Sequence, residues 1–175
     1  MRLSNLEKLA CLVVSIGLCS CTGKVERLQG QFPIGNQEDP ALSANGEKLA
    51  LIVDYNGKSS VQLRDIRNGK ILPLRHLSRN QPHTSPSLSA NARYLAVIAQ
   101  RGNRRVAMIE DRLTGRSHQL RIPGERIPVR LSLAPDASRL ALQIVDKGKW
   151  RIQIFDLTRR IEADKPSGSL ISTDL

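Results

Sequence analysis

The chain has 175 residues, carries a formal charge of +11 and has a sequence pI near 10.3. Its length is that of one domain, and its 40% hydrophobic content is enough for a core. Aromatic residues make up only 3% of the chain, so the stacking surface that nucleic-acid binders use is missing and charge alone does not place the chain among them.

The first segment reads as an export signal. Arg2 opens a short charged stretch, Glu7 and Lys8 close it, and residues 9–18 form an apolar run. That run suits a signal-peptide core and is short for a membrane span. Leu18-Cys19-Ser20-Cys21 follows. It resembles the bacterial lipoprotein box, which implies cleavage before Cys21 and lipid attachment to its sulfur. Cys11 and Cys19 would leave with residues 1–20, so Cys21 would be the single cysteine of the mature chain and no internal disulfide could form. An uncleaved N-terminal anchor is the alternative. Residues 21–38, with Gly23, Gly30, Pro33 and Gly35 among polar side chains, read as a tether.

A repeat then takes over the chain. Pro40-Ala41-Leu42-Ser43, Pro86-Ser87-Leu88-Ser89 and Leu131-Ser132-Leu133-Ala134 each precede a turn and a buried run. Leu49, Leu95 and Leu140 mark those runs at spacings of 46 and 45 residues, and Asp65, Asp111 and Asp156 keep the same spacings. Two anchors on one period point to a solenoid or propeller. In the first unit, strands are expected over 40–43, 48–53, 61–65 and 71–74, with turns at Asn45-Gly46, Asn56-Gly57 and Asn68-Gly69. The second unit repeats the order over 87–89, 94–99, 105–111 and 117–122, after a polar linker at 77–84. The third has 129–133, 139–145 and 150–156, and residues 158–163 stand as its doubtful fourth strand. Residues 164–175 read as a disordered tail.

Four short antiparallel strands per unit, with turns every 8–12 residues, match a propeller blade. The expected fold is therefore all-β: a partial β-propeller of about three four-stranded blades over 39–84, 85–128 and 129–163. The recurring Pro-x-Leu-Ser, x-Leu-Ala, alternating run ending in Asp, and Thr114-Gly115 resemble the WD-like repeat of the TolB family, the periplasmic component of the Tol-Pal envelope system. The resemblance covers roughly 39–163 and is best in the second unit. In the third, Leu131 stands for Pro86 and Arg159-Arg160 for Thr114-Gly115. TolB-like proteins pair six blades with an N-terminal domain. Three blades leave two open edges, which a homodimer could close into a six-bladed ring; an open or partner-completed arc and a degenerate remnant are the alternatives.

No catalytic set is visible. Asp65, Asp111 and Asp156 each end a strand and are expected to accept from turn amides. Ser43 and Ser89 read as turn hydroxyls, outside any Gly-x-Ser-x-Gly elbow. His76, His83 and His118 lack metal-ligand spacing, so no metal or cofactor is expected. The informative charge lies on the turns between second and third strands: Lys58, then Arg101, Arg104 and Arg105, then Lys147 and Lys149. Equivalent turns share one rim of a propeller, so these residues form a candidate anion- or partner-binding edge. Trp150 is expected to pack between blades. The function expected is that of a non-catalytic, lipid-anchored TolB-like module making protein–protein contacts on the periplasmic side of the bacterial envelope. The alternatives are a basic surface protein binding anionic lipid or cell-wall polymer, and a fragment of a propeller-containing hydrolase.

Overall fold

The computed structural model describes residues 35–77 and 81–165. They form eleven strands in three antiparallel sheets, and no helix occurs among the described residues. Sheet 1 runs β1 (Gln37–Leu42), β2 (Lys48–Tyr55), β3 (Lys58–Asp65) and β4 (Ile71–Leu72). Sheet 2 runs β5 (His83–Leu88), β6 (Tyr94–Arg101), β7 (Arg104–Asp111) and β8 (Arg116–Leu120). Sheet 3 has β9 (Ile127–Leu133), β10 (Arg139–Asp146) and β11 (Lys149–Asp156). Each is a meander with neighbours in chain order, so the all-β partial propeller read from the repeat is what the chain forms.

The hairpins follow from local chemistry. Asn56 and Gly57 sit at φ 55° and 75° between β2 and β3, the left-handed pair that a two-residue hairpin needs. Lys147 and Gly148 do the same between β10 and β11, at 48° and 76°. The first turn of each sheet uses a serine where one is present. The Ser43 hydroxyl accepts the Lys48 amide at 3.0 Å, and the Ser89 hydroxyl accepts the Tyr94 amide at 2.9 Å. In sheet 3, Ala134 takes that place and the turn closes through its own amide to the Arg139 carbonyl.

Strand alternation then makes two seams. The side of a sheet that looks toward the next sheet in the chain is its forward face. Ala50, Ile52, Val61 and Leu63 on the forward face of sheet 1 pack against Leu88, Leu95, Val97, Ala99 and Met108 of sheet 2. Tyr94, Ala96, Ile98, Ala107 and Ile109 on the forward face of sheet 2 pack against Leu131, Leu133, Leu140, Leu142 and Ile144 of sheet 3. No ladder crosses the seams; among the described residues, polar side chains do. Asp39 and Ser85 are both left-handed, at φ 49° and 51°, where a bulge interrupts the inner strand of sheets 1 and 2. The Asp39 carboxylate accepts the Ser85 amide at 3.0 Å. The Ser85 hydroxyl accepts the Leu131 amide at 2.9 Å, and the Ser87 hydroxyl accepts the Leu133 amide at 2.9 Å.

Three expectations are corrected. Residues 158–163 make no strand, so sheet 3 has three strands among the described residues. Arg159, Arg160 and Glu162 are exposed and only Ile161 packs on the core. Instead of lining β11, this segment crosses below sheets 2 and 3. The Asp164 amide donates to the Asp136 carbonyl, and the Asp164 carboxylate accepts the Asn91 amide at 2.8 Å, which makes Asp164 a buried, bonded residue. Second, the polar linker of 77–84 is partly core: Leu77 and His83 are buried, and His83 already belongs to β5. Third, Trp150 does not pack between blades; it is exposed on sheet 3, which has no following sheet among the described residues. Cys21, the signal segment and residues 166–175 lie outside the described residues.

Candidate functional site

The hairpins between second and third strands occupy the same end of every sheet, because the sheets stack with equivalent strands side by side. Lys58, Arg101, Arg104, Arg105, Lys147 and Lys149 are all exposed there, and none of the six forms an ion pair among the described residues. They are not spread evenly. Lys58 stands alone on the sheet 1 hairpin, where the Asp54 carboxylate accepts the Gly57 amide.

Between sheets 2 and 3 the charge is gathered. The segment from β8 to β9 crosses this end of the stack and brings Arg121 and Arg126 toward the β6–β7 hairpin. A groove of about 1260 Å³ opens there, lined by Arg104, Arg105, Arg121 and Arg126, with Val129, Val145 and Ile122 as apolar surface and Trp150 at one wall. Among the described residues, Glu125 is the only acidic one lining it. Arg126 is held by Asp146 at 3.3 Å, and Arg151 approaches the same carboxylate at 3.6 Å. Arg104, Arg105 and Arg121 have no acidic partner among the described residues. Lys147 lines a smaller neighbouring hollow with the 123–127 segment. Arg121 and Arg126 were not visible as rim residues in the sequence, because they lie on a connection and have no counterpart in the repeat.

The three aspartates remain in separate sheets. Asp65 accepts the Arg67 amide at 2.9 Å and Lys48 Nζ at 3.0 Å, and the Lys48 bond is the main reason its carboxyl sits below the ordinary range. Asp111 accepts the Leu113 amide at 2.9 Å and Arg93 at 3.1 Å. Burial alone would raise the Asp111 carboxyl, but Arg93 and the turn donors together outweigh it and lower it. Asp156 accepts both the amide and the hydroxyl of Thr158, which lower it. Each carboxylate is thus occupied by its own turn.

The histidines do not converge. His76 is exposed and meets the Gly115 carbonyl through Nε2 at 2.7 Å. His118 is half-buried on β8. His83 is fully buried, and its Nδ1 accepts the Val61 amide at 3.3 Å across the first seam. Removal from water pushes its pKa down to about 4. Among the described residues no cluster of His, Cys, Asp and Glu is placed to hold a metal ion. Two buried acids have no counterpart among the repeat's anchors, Asp164 described above and Glu110. Glu110, on β7, accepts the backbone amides of Arg75 at 2.9 Å and His76 at 2.8 Å, which fixes the exit of sheet 1 against sheet 2.

Comparison with known proteins agrees with this architecture. TolB from Acinetobacter baumannii superposes with a TM-score of 0.58 at 17% identity, over 77% of this chain and 33% of that one. A putative TolB from Agrobacterium tumefaciens gives 0.58 at 12% identity, over 74% of this chain and 48% of that one. The β-propeller domain of the Trilobed protease from Pyrococcus furiosus gives 0.52 at 16% identity, over 75% and 41%. At these identities the likeness is one of fold, and the chain spans between a third and a half of the length of these three structures. No curated protein matches the chain. The pattern of the family described as the Lipoprotein LpqB beta-propeller domain matches residues 17–162, most of the sequence, and the chain belongs to that family.

Proposed function

We propose that this chain is a non-catalytic, lipid-anchored propeller module of the bacterial cell envelope that recognises an acidic segment of a protein partner at the rim between sheets 2 and 3. The observation that carries the reading is the trio of Arg104, Arg105 and Arg121, without an ion pair among the described residues, along a groove also lined by apolar side chains. Guanidinium groups grip carboxylates in pairs of parallel bonds, and arginine clusters are a recurring means of reading acidic motifs. The groove exceeds the few hundred to about 1,000 Å³ of a small-molecule site, so it suits a stretch of chain better than a metabolite. The name of the family and the TolB likeness support an envelope location, and the box ending at Cys21 supports lipid attachment there.

The test uses the full chain in detergent and a fluorescein-labelled peptide of alternating Asp, Leu and Glu residues, followed by anisotropy at rising salt. The triple replacement Arg104→Ser, Arg105→Ser and Arg121→Ser should weaken binding by about tenfold or more and flatten its salt dependence. Equal binding by the triple variant refutes the reading. The second reading, an anionic lipid or cell-wall polymer, is favoured by Lys58, Arg101 and Lys149, which lie on the rim but outside the groove lining. Stronger binding to phosphatidylglycerol vesicles or to polyphosphate than to the peptide would replace the first reading with it. The hydrolase-fragment reading draws on likeness to the propeller of a protease, and no serine–histidine hydrogen bond supports it among the described residues.

A further inference from the structure

The repeat gives every position in one sheet a counterpart in the others, and burial can be compared position by position. Paired in register with Ala50, Ala96 and Ala141 are Leu63, Ile109 and Ile154. Leu63 is 0% exposed and Ile109 is 1% exposed, whereas Ile154 is 70% exposed. One step along, Val61 is 3% and Ala107 0% exposed, whereas Ile152 is 65% exposed. Trp150 and Ile127, which pair with Val145, continue the same face and are exposed as well. Sheet 3 therefore presents the side chains of an inter-sheet seam with no sheet on them among the described residues.

The opposite end of the stack shows the matching gap. Leu42, Leu88 and Leu133 are the innermost backward-facing leucines, paired with Leu49, Leu95 and Leu140. Leu88 and Leu133 are each 6% exposed, because a preceding sheet covers them, whereas Leu42 is 60% exposed. All of β1 except Ala41 is exposed, while its counterpart β5 is mostly buried. Leu51 and Val53 are already buried, so the open part of sheet 1 is its inner strand.

We infer that the forward face of sheet 3 is an interface for a second copy of this chain, whose β1 seats against Ile152 and Ile154. The argument is continuity: the contacts of β1 with β5 and of β5 with β9 are carried on from β9 to the β1 of a partner. Head-to-tail contacts repeat, and two copies supply six sheets, within the four to eight that close a propeller. A contact of forward face on forward face would bury Ile154 but leave Leu42 in water at both ends.

The experiment measures the mass of the protein component of full-chain micelles by light scattering after size-exclusion chromatography. The wild-type chain should carry the mass of two chains at micromolar concentration. Ile152→Lys with Ile154→Lys should carry the mass of one, with an unchanged circular-dichroism spectrum, because both side chains are mostly exposed within a single chain. The triple arginine replacement changes β7 and the β8–β9 connection and no side chain of the forward face of sheet 3, so it should leave the two-chain mass intact. A wild-type mass of one chain up to about 100 µM, or a two-chain mass in the lysine variant, overturns the inference. A benzophenone amino acid at position 154 should cross-link to the peptide holding residues 37–42 of the second copy. A cross-link from one position 154 to the sheet 3 of the other copy refutes the head-to-tail arrangement.

Discussion

Acid should loosen the first seam through one side chain, His83. Its Nδ1 accepts the Val61 amide, so the proton of the neutral ring is on Nε2. Protonating Nδ1 turns an acceptor into a donor that faces another donor, inside a site without water access. The pKa falls from an ordinary 6.5 to about 4 in the folded chain. Between those values the unfolded chain binds a proton that the folded chain does not, so stability rises with pH across the window. In the other direction, the contribution is complete above 6.5, declines as pH drops toward 4, and is gone below. At roughly 1.4 kcal/mol per pH unit the loss amounts to about 3 kcal/mol, a large fraction of the 5–15 kcal/mol typical of a domain. Asp65, Asp111 and Asp156, held below the ordinary carboxylate range, withdraw their support only at lower pH, below their unfolded values near 3.8. Urea denaturation at half-unit steps from pH 8 to pH 4.5 should therefore show a steeper decline for the wild-type chain than for His83→Gln. Parallel curves for the two proteins would refute the reasoning.

Two further substitutions test the packing. Ile109→Ala removes a branched side chain from the seam between sheets 2 and 3 and should cost about 3 kcal/mol in chemical denaturation, whereas Leu113→Ala, on an exposed turn, should cost less than about 0.5 kcal/mol. Similar costs for both would remove the seam from the core. Glu110→Ala strands the Arg75 and His76 amides in a half-buried place and should cost about 2 kcal/mol. It should also raise hydrogen exchange at those two amides selectively, and unchanged exchange there would show that Glu110 does not hold them.

What the sequence disclosed and what it hid divide along a physical line. The period of 46 and 45 residues and the two-residue alternation place the strands, because both are properties of neighbouring residues in one sheet. Asp65, Asp111 and Asp156 were legible for the same reason: each reaches the amide two residues on, within its own turn. Burial fixed by another sheet was not. Glu110 stands in a run of charged and apolar residues that ends at Asp111, and only the arrival of Arg75 and His76 from sheet 1 shields it. His83 has Gln81, Pro82 and Thr84 around it, a polar setting that conceals a core position. The rim was half legible: Arg104 and Arg105 follow from the repeat, but Arg121 and Arg126 reach the groove along a connection whose course no periodicity sets. That residues 158–163 form no strand was foreshadowed by Arg159, Arg160 and Glu162, whose charges have no place on an inner face.

The seams, crossed by hydroxyl, carboxylate and imidazole groups and not by a ladder, govern how the molecule bears load. Within a sheet the backbone resists in concert; between sheets, resistance comes from a few short-range bonds and from grease. Tension applied between sheet 1 and sheet 3 would open the seams in turn, leaving each meander whole. The chain would give way in discrete extensions, like links of a hinged bracelet, well before any strand was stripped from its neighbours.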